Sequence, residues 1–134
     1  MMNQYEKLDI VLDYLNESIN NEQLLIKKNE SKIKTFVNSM LKKFYNEEKD
    51  KFKSNPNYDW RRNITGLPKI QGKFNYQSSG ITSIILSYPG DPSMDDVLFF
   101  ESDFVKYINK SKDKILNEFR FIAEDSPNII IKVK

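Results

Sequence analysis

Five carboxylates fall between positions 91 and 103 with no basic residue among them: Asp91, Asp95, Asp96, Glu101 and Asp103. Oxygen donors at that density could hold Mg²⁺ or Ca²⁺, or could present negative charge to a basic partner. The spacing does not fit an EF-hand loop, which alternates its ligands around a central Gly. Nor does it show the strand-borne carboxylates followed by x-Lys that a metal-dependent nuclease would use. Turn residues and helix caps are the plainer use of such a run. A metal-dependent hydrolase built on Asp91, Asp95, Asp96 and Glu101 is therefore the last of three functional readings, and no metal ligand is assigned.

A second constellation alternates aromatic rings with guanidinium groups at Tyr58, Trp60, Arg61 and Arg62, which include the only Trp and two of the three Arg. Trp, Tyr and Arg are over-represented at the energetic centres of protein interfaces, and the same residues can stack on unpaired bases. The plainer alternative is that Trp60 folds back onto the core and anchors its loop. A third set is cationic. Lys27, Lys34, Lys42 and Lys49 fall along one strip of a helical wheel, with Lys28, Lys32 and Lys43 beside it. Such a strip could track phosphates with a steep salt dependence, although Lys is also an ordinary solvated surface residue.

The rest of the composition removes chemistry. The 134 residues contain no Cys and no His, which excludes disulfides, thiolate nucleophiles, Cys or His zinc sites and imidazole acid–base catalysis. Four Gly form neither GxxxxGK[ST] nor GxGxxG, so no phosphate-cradling loop and no cofactor are expected. Ser39-Met40-Leu41-Lys42 has the Ser-x-x-Lys form but lies on the lysine face of a helix, a poor place to desolvate an amine. A net charge of +2 favours no class of partner. The first twenty residues mix acids with apolar residues and do not resemble a signal peptide. No apolar run approaches the roughly 18 residues of a membrane span. The expectation is a cytoplasmic chain without a membrane partner. Lys, Ile and Asn, all with AT-rich codons, fill 47 of the 134 positions, which suggests a low-GC bacterium, or a phage or mobile element living in one.

These groups must be positioned by a single α+β domain spanning 1–134. Apolar residues at Leu8, Val11, Leu12, Leu15 and Ile19 recur at helical spacing and predict a helix over 4–20. Asn20-Asn21 then interrupts. Ile26, Ile33, Phe36, Val37, Met40, Leu41 and Phe44 share one side of a second helix, so a helix pair is expected within 4–52. The pair carries net −4 over 1–22 and +5 over 23–53. An irregular basic and aromatic loop follows over 53–68. From Lys69 the period becomes two. A strand to Gln77, a turn at Ser78-Ser79-Gly80 and a return strand over 81–88 form a hairpin. A third short strand is expected near 97–100, a helix capped by Ser102 or Asp103 runs to about 123, and 129–133 closes as a strand. The predicted order is ααβββαβ, with a three-stranded antiparallel meander.

The functional expectation is a non-enzymatic protein that acts by stoichiometric binding to another protein, of the inhibitor, immunity, chaperone or adaptor type. Its candidate contacts are Tyr58, Trp60, Arg61, Arg62, Asp91, Asp95 and Asp96. The runner-up is weak, sequence-indifferent nucleic-acid binding through Lys27, Lys34, Lys42, Lys49, Arg61 and Arg62. The wide apolar arc of the second helix, extended by Leu24, Leu25, Tyr45 and Phe52, adds the expectation of a homodimer.

Overall fold

A computed structural model describes residues 19–51, 60–123 and 127–134. The helix expected over 4–20 lies almost wholly outside this range, as do Phe52 and Tyr58. Among the described residues three helices and two antiparallel sheets enclose one hydrophobic core. No helix there is long and apolar enough to cross a membrane.

Helix α1 (Asn21–Lys28) begins where the sequence breaks at Asn20-Asn21. The Asn20 side chain accepts from the Gln23 amide at 2.8 Å, while Gln23 Oε1 accepts from the Asn20 amide at 3.0 Å. This reciprocal cap satisfies two orphan donors of the first turn. Gln23 is itself buried, and its Nε2 donates to the carbonyls of Gln77 and Ile81, fastening α1 to the turn of the hairpin.

The second expected helix is divided. Asn29 leaves helical geometry and its Nδ2 donates to the Leu25 carbonyl at 2.9 Å, so α1 ends there and α2 (Glu30–Glu48) starts anew. Asn competes for backbone groups in this way and is a poor helix-interior residue. Along α2, Ile33, Phe36, Val37, Leu41 and Phe44 are buried on one stripe, as the helical spacing predicts.

The hairpin forms with the expected turn: Gln77 N–H donates to Ile81 O at 2.9 Å, and Gly80 adopts φ 94°. Its first arm is not one strand, however. It is β1 (Lys69–Ile70) and β2 (Asn75–Tyr76), and its second arm is β3 (Thr82–Ile84) and β4 (Leu86–Ser87). Between the paired rungs Ile70↔Leu86 and Asn75↔Ser83 lie four residues on one arm and two on the other. The surplus is absorbed around Gly72, at φ 63°. Extra residues of this kind bend a ladder and split it in two.

The largest departure follows. Residues 97–100 are not a third strand; they lie inside helix α3 (Met94–Asn109). Neither Ser102 nor Asp103 caps it. Ser93 does: its Oγ accepts from the Asp96 amide at 3.2 Å, and Asp96 Oδ2 accepts from the Ser93 amide at 3.1 Å. The helix also ends early, at Asn109. A 3-10 turn at Lys114–Asn117, capped by Asp113, buries Ile115 and Leu116. Then β5 (Phe119–Ile122) alternates Phe119 and Phe121 inward with Arg120 outward. The expected closing strand is β6 (Ile129–Val133). The third and fourth strands of the main sheet are thus β6 and β5, in the order β2-β3-β6-β5 with every pair antiparallel.

The register places Thr82, Ile131 and Phe121 in one row, with Ile84 paired to Ile129 on the same face. Phe36 of α2 meets Phe121 across this face at a ring separation of 6.0 Å. α3 lies along β5, where Asn109 Nδ2 donates to the Phe121 carbonyl at 3.0 Å.

Candidate functional site

Helix α3 sorts the acidic run into inward and outward groups. Asp96 is buried; besides capping the helix it accepts from Asn63 Nδ2 at 2.9 Å. Glu101, only 2% exposed, accepts from the Tyr88 hydroxyl at 2.5 Å and from the Asn128 amide at 2.8 Å. Burial pushes the Glu101 carboxyl above the ordinary range, and the two donated hydrogen bonds only partly offset it. Burial and the neighbouring carboxylate push Tyr88 up as well, so its hydroxyl stays a donor. Asp103 accepts from Trp60 Nε1 at 2.9 Å. Asp91 and Asp95 alone of the five stand in solvent. Among the described residues no three carboxylates converge on a point where an ion could sit.

The aromatic and Arg group is drawn inward too. Trp60, in a 3-10 turn at Trp60–Arg62, is 1% exposed and packs edge-on against Phe100 at 4.8 Å and against Phe44 at 5.6 Å. It is the anchor of its loop, not a surface ring. The Arg61 guanidinium lies over the Trp60 ring at 4.8 Å and is held by Glu48, through Nε to the carbonyl oxygen at 2.9 Å and through a second nitrogen to Oε2 at 2.6 Å. Burial raises the Glu48 carboxyl, but donation by Arg61 and Lys51 outweighs it and holds the group below its usual value. Arg62 is exposed.

The lysine strip is interrupted by the joint at Asn29. Lys27, on α1, lies over the Tyr76 ring at 5.6 Å, and Lys49 over Tyr45 at 5.7 Å. Lys34 is half-buried and Lys42 exposed. Of the two Arg grouped with these lysines, Arg61 is held by Glu48 and Arg62 is exposed.

Helical geometry at 94–109 sorts the apolar run at 97–100 into inward and outward residues. Phe100, Phe104, Val105 and Ile108 turn inward, which rotates Leu98 and Phe99 away from the densest packing. Met94 is 56% and Phe99 53% exposed, with Leu98 half-buried between them and Asp95 in solvent beside them. Of the four large apolar side chains exposed among the described residues, these are two, and they share one helix. The Ser-x-x-Asp capping pattern at Ser93 and the three- and four-residue spacing of Phe100, Phe104 and Ile108 are the signals that identify this surface in the sequence. The chain matches no protein-family model, no curated protein and no solved structure.

Proposed function

We propose that the protein acts by binding another protein stoichiometrically, through the outer face of α3, in the manner of an inhibitor, immunity factor, chaperone or adaptor. The observation that carries this reading is the pairing of Met94 and Phe99, both more than half exposed, with the solvent-facing carboxylates Asp91 and Asp95. Apolar side chains on a charged helix gain from being covered, and flanking charge selects what covers them. The partner that fits is an apolar pocket rimmed by Lys or Arg. A second copy of this chain fits poorly, because two-fold pairing of this face sets like carboxylates against each other.

Trp60 and Asp96 cannot report on binding, since replacing either disturbs the core or the helix cap. Met94→Ser with Phe99→Ser is the informative variant. Completing the burial of two such side chains contributes about 2–3 kcal/mol, on the order of a hundredfold in Kd. Immobilised wild-type protein is expected to retain one dominant protein from the lysate of its own cell at near-equimolar yield, and the double variant to lose it with an unchanged melting temperature. Equal retention by both overturns the assignment. Solution scattering at high concentration separates the competing homodimer: a dimeric mass that persists in the double variant would place self-association on the α1–α2 side, where Leu25 is exposed.

A further inference from the structure

An open cleft of about 650 Å³ runs between α2 and the segment that links α3 to the 3-10 turn. It is separate from the outer face of α3 and plays no part in the binding just proposed. Lys32 and Lys43 stand on its α2 wall and Lys112 on the opposite wall. Its one acid, Asp113, is already engaged, with Oδ1 accepting from the Ile115 amide at 2.9 Å. None of the three lysines is in an ion pair with a described residue. Ser39 and Ser111 add hydroxyls between the cations, and Phe36, Met40 and Ile115 supply an apolar floor.

We infer that this cleft binds a phosphorylated small molecule of nucleotide size. Three cations against one occupied carboxylate leave a positive concavity, and walls of low polarisability focus such a field. Lys is a flexible point-charge ligand for phosphate, and serine hydroxyls complete the donor set. Lys32 and Lys43 are eleven residues apart on one helix, about 16 Å along its axis. Their stems can lean inward from either end, so the cleft suits an elongated molecule with an organic body more than a bare phosphate. The volume lies within the ~300–1,000 Å³ of small-molecule sites, and the apolar floor gives the body a surface to cover.

The test is calorimetric titration of the full chain at low salt with ATP, tripolyphosphate, adenosine and a short oligothymidylate. ATP is expected to bind at one site, at least tenfold tighter than tripolyphosphate, with no heat from adenosine. Lys43→Gln with Lys112→Gln is expected to weaken ATP tenfold or more, whereas Lys42→Gln with Lys49→Gln, outside the cleft, leaves it unchanged. Any of four results overturns the inference: no ATP heat, tripolyphosphate as tight as ATP, equal losses in the two double variants, or tighter binding of the oligonucleotide than of ATP.

Discussion

Trp60→Ala is expected to lower the unfolding free energy by about 3–5 kcal/mol, the range for removing a large buried aromatic ring. The indole is enclosed by Phe44 and Phe100, and Phe44 also meets Phe104 and Tyr107, so the cavity opens at the centre of an aromatic cluster that joins α2 to α3. Two further losses accompany it. Asp103 forfeits the indole N–H, and the Arg61 guanidinium forfeits the ring beneath it. For a chain of this length the melting temperature should fall on the order of 10–20 °C. Trp60→Phe keeps most of the packing and removes the N–H donor, so it should cost about 1–2 kcal/mol. Equilibrium denaturation of the two variants measures both. A loss below ~1 kcal/mol for Trp60→Ala would mean that the ring is not the anchor of its loop.

Glu101→Ala is expected to cost about 2–3 kcal/mol near neutral pH, because it leaves the Tyr88 hydroxyl and the Asn128 amide without their acceptor. Its pH dependence is the sharper test. Burial holds the Glu101 carboxyl above the unfolded value of 4.5 despite the two donors. A carboxyl raised on folding contributes its stability in full below the unfolded value and surrenders it as pH climbs through the folded one. Glu101→Gln does not titrate at this position. The stability of wild type relative to Glu101→Gln should therefore be greatest below the unfolded value of 4.5 and shrink as pH rises above it. Denaturant midpoints of the two proteins across that range give the difference directly. A difference that grows with pH would reverse the sign of the shift.

The α+β class, the buried stripe of α2, the turn of the hairpin and the closing strand were all legible in the residues, because each rests on a local period or a local turn. What was not legible shows where local pattern stops deciding. Val97-Leu98-Phe99-Phe100 is a four-residue apolar run, and such runs suit a short buried strand and one turn of helix equally well. The reciprocal Ser93–Asp96 cap decides for helix, and that decision determines which side chains face water. Phe119 fits a helical stripe continuing from Ile108 and Ile115 and equally well an alternation with Phe121; pairing with β6 selects the strand, and pairing is a non-local event. The two-residue surplus around Gly72 becomes visible only once both arms of the hairpin are aligned.

The candidate contacts divide along the same line. That Asp95 faces solvent while Asp96 is buried follows from one residue of helical rotation, about 100°. That Trp60 goes inward depends on Phe44 and Phe100, sixteen residues before it and forty after it in the chain. Charge and aromaticity could nominate these residues, but only packing could sort them.

The proposed binding surface is the outer face of α3, and oxidative side-chain labelling of the complex addresses that face residue by residue. Once a partner has been isolated on the wild-type chain, labelling of Met94 and Phe99 should fall several-fold in its presence, while Leu25 and Ile81, exposed elsewhere on the molecule, keep their free rates. Protection at Leu25 or Ile81 with Met94 and Phe99 still fully labelled would contradict it.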